Sequence, residues 1–78
     1  MVQTGGVQIE IGADGIRLGQ LLKFANVVVD GAEAKVLIAS GEVHVDGRTE
    51  TRRGRQVAVG SMVLVNLPDG VRELRVVR

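Results

Sequence analysis

The order of two helical patterns and one hairpin pattern between residues 18 and 47 does most to constrain the fold. Asp30 favours the start of a second helix as its N-cap, and Gly41 favours its end in the left-handed conformation. Val43-His44-Val45 then alternates as a strand and runs into the hairpin turn Asp46-Gly47. The first helix is indicated by apolar residues at the i, i+3, i+4 and i+7 spacing of one helix face, namely Leu18, Leu21, Leu22 and Ala25.

Strand patterns lie on both sides of this segment. Residues 7–11 alternate apolar and polar side chains, residues 62–65 form a short apolar run, and residues 71–77 can form a closing strand. Residues 27–29 are three valines, for which we expect an extended connection that packs its side chains into the core. The patterns together predict an α+β fold, with two short helices in the N-terminal half packed on a small, mostly antiparallel sheet. At 78 residues the chain is expected to form one domain over residues 1–78.

The composition excludes several classes of site. The chain has no cysteine and a single histidine, so neither a disulfide nor the usual zinc sites can stabilise it. Phe24 is the only aromatic residue, and we expect it in the otherwise aliphatic core or in a hydrophobic corner. No nucleophile–base pair or glycine-rich phosphate loop is present, which predicts no active site, metal or cofactor. No run approaches the ~18 apolar residues of a membrane helix, and no secretory signal is visible, so we expect a cytoplasmic protein.

Positive charge is concentrated in one short stretch. The formal net charge is only +1, but residues 48–55 hold four arginines against the single acid Glu50. The arginines are Arg48, Arg52, Arg53 and Arg55. A guanidinium donates two hydrogen bonds to a phosphate at once and keeps its charge, so this cluster is the first candidate for binding nucleic acid. On an extended strand Arg53 and Arg55 would share one face and Arg52 would lie on the other. The alternative is an edge strand protected by charge.

Three further cations are secondary candidates. Lys23 and Lys35 lie on the polar faces of the two predicted helices, and Arg17 precedes the first helix. The alternative for each lysine is an ordinary solvated helix surface. With no Tyr, no Trp and one Phe, we expect no aromatic platform for bases, so shape and phosphate geometry should dominate recognition.

Residues 17–65 resemble the RNA-binding domain first named for ribosomal small-subunit protein four. The resemblance rests on Arg17 to Lys23, Gly31 to Lys35, the Gly-x-Val-x-Val-x-Gly pattern from Gly41 to Gly47, and the basic run before Val59-Gly60. It is strongest to small stand-alone bacterial members of the YbcJ and YaaA type. The resemblance implies that residues 17–65 are the core of an alpha-L RNA-binding motif, to which strands 7–11 and 71–77 are added.

Four positions depart from that family's pattern. Asp30-Gly31 replaces the Ser-Arg that opens the second helix in many members, so one phosphate-contacting arginine is missing. Asp46 replaces the usual turn Asn, and Ser61 replaces the usual Asp after Gly60.

The resemblance implies a non-catalytic module that binds structured RNA. The RNA is expected to be ribosomal RNA or an assembling ribosomal particle, bound by a monomer with no membrane partner. The predicted binding residues are Arg48, Arg52, Arg53, Arg55, Lys23, Lys35 and Arg17. The alternative is a protein-interaction module in which exposed valines of the closing strand pair edge to edge with a partner.

Overall fold

A computed structural model describes residues 5–78, so the first four residues of the predicted domain lie outside the described part of the chain. Two helices are present, α1 (Leu18–Phe24) and α2 (Gly31–Ala39). Neither described helix is long and apolar enough to cross a membrane. The strands are β1 (Gly5–Glu10), β2 (Ile16–Arg17), β3 (Val43–Val45), β4 (Arg48–Thr49), β5 (Gln56–Val57), β6 (Met62–Leu67) and β7 (Gly70–Val77).

Five strands form one sheet in the order β1-β7-β6-β3-β4, and β2 pairs with β5 in a separate two-stranded ribbon. The pairs β7–β6, β6–β3 and β3–β4 are antiparallel, whereas β1 runs parallel to β7. The prediction of an α+β fold with a mostly antiparallel sheet is therefore confirmed. The closing strand β7 lies between β1 and β6, however, so the expectation that its edge is free for a partner is wrong.

The core is aliphatic and contains side chains from both helices and one face of the sheet. Alternation with period two places every second residue of β3, β6 and β7 inward. The helices add the leucines of α1 with Ala34 and Ile38 of α2. The buried sheet residues are Val43, Val45, Val63, Val65, Leu74 and Val76.

The capping and turn residues act as their types predict. The Asp30 carboxylate accepts a hydrogen bond of 2.9 Å from the Glu33 amide at the start of α2, and Gly41 has φ +87° after its end. Asp46 and Gly47 both have positive φ, as the two-residue hairpin turn requires. The Asp46 carboxylate also accepts hydrogen bonds from Ser61 Oγ (3.1 Å) and the Met62 amide (3.0 Å). Two of the departures from the family pattern are therefore in contact, and they join the hairpin turn to β6.

Two expectations about the core are wrong. Phe24 is 69% exposed, because it follows the buried leucines of α1 at a helical angle outside their stripe. Of the three consecutive valines, Val28 is buried and Val27 is half-buried, but Val29 is 83% exposed. The connection is a series of turns and bends that starts with Asn26 at φ +58°, so it is not extended and Val29 faces away from the core to which Val27 and Val28 belong.

Candidate nucleic-acid interface

The arginine-rich segment from residue 50 to 55, the arginine loop, is a turn and not a strand. After the two-residue strand β4 the chain bends at Arg53-Gly54, and the Arg55 amide donates to the Arg52 carbonyl at 3.2 Å. The predicted strand faces, with Arg53 and Arg55 on one side and Arg52 on the other, are therefore wrong. The turn sends these side chains to different surroundings.

Glu50 holds the loop in this shape. It is 7% exposed, and its carboxylate accepts hydrogen bonds from the backbone amides of Thr51 (3.1 Å) and Arg52 (3.2 Å). Arg52 Nε lies 3.2 Å from Oε2, and Arg55 Nη1 lies 2.8 Å from Oε1. The Arg52 side-chain hydrogen bond, helped by Arg55 and opposed by burial, lowers the pKa of Glu50 from 4.5 to about 2. Glu50, Arg52 and Arg55 form what we call the Glu50 cluster.

The arginine loop is also joined to the start of α1. Arg17, the N-cap residue, makes no side-chain cap, yet the first amides of a helix need acceptors. The carbonyls of the loop supply them: Leu18 N donates to Arg55 O at 2.8 Å and Gly19 N to Arg53 O at 2.9 Å. A Cβ on Gly19 would lie 3.5 Å from both Arg53 Cβ and Arg53 O. The loop therefore lies within ordinary van der Waals contact distance of a side chain at this position.

A groove of about 210 Å³ opens between the arginine loop, the start of α1 and the start of α2. We call it the cationic groove. Three of the predicted binding residues line it, Arg17, Lys23 and Arg53, together with uncharged residues. All three side chains are exposed. Among residues 5–78 the ion pairs are Arg52–Glu50, Arg55–Glu50 and Arg75–Glu73, so these cations have no carboxylate partner there.

Arg53 reaches the place where the family pattern has its helix-opening arginine. A Cβ built on Gly31 would lie 4.0 Å from Arg53 Nη1. The guanidinium of Arg53 thus lies beside the first residue of α2, where the family pattern has an arginine and this chain has Gly31. Sequence position alone could not indicate this, because 22 residues separate the two along the chain.

The remaining predicted residues lie elsewhere. Arg52 and Arg55 belong to the Glu50 cluster, although 74% of the Arg52 side chain and 43% of the Arg55 side chain remain exposed. Arg48 is exposed on the edge strand β4, and Lys35 is exposed on α2; neither lines the groove. Within residues 5–78 no group of three or more His, Asp and Glu side chains is placed to hold a metal ion.

A second, larger cavity of about 590 Å³ adjoins the groove and was not predicted. Gln20 and Lys23 line both, and the rest of its lining is Phe24, Asn26, Val28 and Val29. The usable sequence signal was the position of Phe24 outside the apolar stripe of α1. Glu50 was also missed as a structural residue; the signal was a lone carboxylate two and five positions before arginines.

Comparisons with known proteins found a matching family model and similar bacterial proteins. The model of the S4 domain family matches residues 9–72, which include both cavities and the arginine loop. The Bacillus subtilis (strain 168) protein named "Probable ribosome maturation protein RlbA" is 42% identical over 55 residues, covering 70% of this chain and 78% of that protein. The Escherichia coli (strain K12) protein named "Putative RNA-binding protein YbcJ" is 42% identical over 48 residues, covering 62% of this chain and 69% of that protein.

Proposed function

The chain belongs to the S4 domain family, and we propose that it is a non-catalytic module that binds structured RNA through the cationic groove. The observation that carries the proposal is the convergence of Arg17, Lys23 and Arg53 on one concave surface without a carboxylate in its lining. The names of its relatives, which refer to RNA binding and ribosome maturation, support the same class of ligand.

The chemistry of the groove suits a folded phosphate backbone. Arg17 and Arg53 can each hold a phosphate with two parallel hydrogen bonds, and Lys23 adds a compact charge between them and the second cavity. The loop carbonyls bonded to α1 fix the backbone of Arg53, so its guanidinium starts from a defined position. Three cations on one concave surface can respond to the spacing of phosphates, which is a property of RNA shape.

We extend the proposal to ribosomal RNA, met during assembly of a ribosomal particle. The support is the ribosome maturation named for the Bacillus subtilis relative. In this proposal the two helices and the β3–β4 hairpin form the alpha-L motif, and the protein acts as a cytoplasmic monomer. Arg48 and Lys35 remain predicted as outer contacts to the same RNA.

The test removes the charge of the groove and leaves the Glu50 cluster intact. We expect Arg17→Gln/Lys23→Gln/Arg53→Gln to bind purified ribosomal RNA at least 100-fold more weakly, since charged hydrogen bonds are worth about 1.5–3 kcal/mol each. The slope of log affinity against log salt should become shallower by about 2–3, because each duplex phosphate that the protein neutralises contributes roughly 0.9 to it. Affinity is measured by filter binding over a salt series.

The matched control is Arg72→Gln/Arg75→Gln/Arg78→Gln, which removes the same charge from β7 and the residue after it. An equal reduction of affinity in the two triple variants would mean that only net charge matters and would contradict the groove. Reversing Arg52, Arg53 and Arg55 together is a poorer design, because two of these residues neutralise Glu50.

A further inference from the structure

Two large apolar side chains are exposed at one place beside the cationic groove. Phe24 is 69% exposed and Val29 is 83% exposed, and both line the cavity of about 590 Å³. Single exposed apolar residues are common on soluble proteins. Here, however, the only aromatic residue of the chain stands in a concave surface whose volume is typical of ligand pockets, about 300–1,000 Å³.

The cavity and the cationic groove are continuous through shared residues. Gln20 and Lys23 line both, so a ligand phosphate held by Lys23 would have the mouth of the cavity beside it. Asn26 and Gln20 add amide groups, which can donate and accept hydrogen bonds. An aromatic ring, aliphatic walls, amides and a neighbouring cation are together the chemistry that receives a nucleobase.

We propose that an unpaired nucleobase of the bound RNA enters this cavity and stacks on Phe24 while its phosphates lie in the cationic groove. This inference rests on the proposed function and deepens it, because it names the class of RNA: a helix interrupted by a bulged or flipped-out nucleotide. The phosphate contacts position the RNA, and the base contact selects the interruption. Phe24 is thus a specificity residue, whereas Arg53 is an affinity residue.

The experiment compares two probes that differ by one nucleotide. The first is a blunt RNA duplex, and the second is the same duplex with a single bulged 2-aminopurine. We expect the wild-type chain to bind the bulged duplex roughly 5- to 100-fold more tightly, which is the range of stacking on one aromatic side chain. Stacking should also change the 2-aminopurine emission.

Variants at Phe24 separate stacking from folding and charge. Phe24→Leu keeps an apolar side chain and should abolish the preference for the bulge, whereas Phe24→Tyr keeps a ring and should retain it. The salt slope of Phe24→Leu should equal that of the wild type, since no phosphate contact is removed. Val36→Ala is the matched control, because Val36 is 72% exposed on α2 but lines neither the groove nor this cavity.

Each other outcome overturns the inference in a distinct way. The base site is rejected if the wild type binds both duplexes equally, or if the preference for the bulge survives in Phe24→Leu. The proposed function remains intact in either case if the groove triple variant still fails to bind RNA. No binding of either duplex or of ribosomal RNA rejects both. An unchanged RNA preference combined with self-association that Phe24→Leu abolishes would make the cavity a protein contact instead.

Discussion

Arg52 and Arg53 are neighbours in the chain, yet one guanidinium group is paired with a carboxylate and the other is not. Arg52 pairs with the buried carboxylate of Glu50 at 3.2 Å. Arg53 lines the cationic groove with Arg17 and Lys23 and without an acidic residue. Part of the arginine run stabilises a turn, and another part is available to a ligand. A count of basic residues therefore overstates the charge that an approaching phosphate would meet.

The difference arises from the turn itself. A strand would have spread the arginines over two faces, whereas the bend at Arg53-Gly54 turns the chain around the Glu50 carboxylate. The cluster keeps the loop in shape, and the loop carbonyls fix it against α1. The groove thus depends on the Glu50 cluster for its geometry and not for its charge.

The largest expected effect comes from breaking the Glu50 cluster. Arg52→Glu/Arg55→Glu places two new carboxylates beside a buried one, which then lacks any cationic partner. Because a domain of this size has only ~3–5 kcal/mol of stability, we expect its cooperative thermal transition, followed by circular dichroism, to disappear. Arg17→Glu/Lys23→Glu carries the same charge change in the groove and should still melt cooperatively. A native-like transition in the first variant would show that the cluster is dispensable.

An intermediate effect is expected from comparing the two neighbouring arginines by binding. Arg53→Gln should weaken ribosomal RNA binding by roughly 10- to 100-fold, as expected for a charged hydrogen bond to phosphate. Its salt slope should drop by about 1. Arg52→Gln should change affinity less than about threefold, because Arg52 is paired with Glu50 and lies outside the lining of the groove. The affinities are measured by fluorescence anisotropy titration. Equal weakening of RNA binding in both variants would contradict the different roles of Arg52 and Arg53.

The smallest effect is a pH dependence of stability that is confined to acid, below about pH 4.5. Glu50 has its pKa lowered to about 2 in the folded protein from an ordinary 4.5, so the unfolded state binds more protons between these values. The stability that ionised Glu50 contributes is therefore complete above about pH 4.5 and is lost as the pH falls through about 2. The difference in urea midpoint between wild type and Glu50→Gln should narrow across this window. The control is Glu42→Gln, on the short link between α2 and β3. If the difference in urea midpoint between wild type and Glu50→Gln persisted unchanged to pH 2, the ionisation of Glu50 would not be its source.

Local features of the chain were predictable where a single residue type has one strong conformational role. Asp30 caps α2, Gly41 follows its end, and Asp46-Gly47 makes the hairpin turn. The alternation in β3 correctly placed its two valines inside. Hydrophobicity alone misplaces Phe24 and Val29, because it ignores the angle that each residue takes around α1 or along the connection.

The sequence predicted which residues are candidates for the site, but it did not predict which of them lie together. Charge and resemblance indicate seven cations, and three of them meet in the groove. Arg52 and Arg55 are set apart by a carboxylate whose partners depend on a turn, and no periodicity indicates such a turn. Arg48 and Lys35 are set apart by their positions on β4 and α2. The second cavity depends on how α1 and the 26–29 connection pack, which the pattern of either segment alone does not specify.

By itself, then, the amino-acid sequence determined the two helices, the longer strands, the cap of α2, the β3–β4 turn and the resemblance that indicated the family, because these depend on residues a few positions apart. Tertiary structure alone decided which strand pairs with β7, which arginines Glu50 neutralises, and that Arg53 supplies a guanidinium beside Gly31. These contacts join residues distant in the chain or depend on a specific turn. The free energy of each such contact depends on burial, hydrogen bonding and charge pairing, which are all defined only in the folded protein.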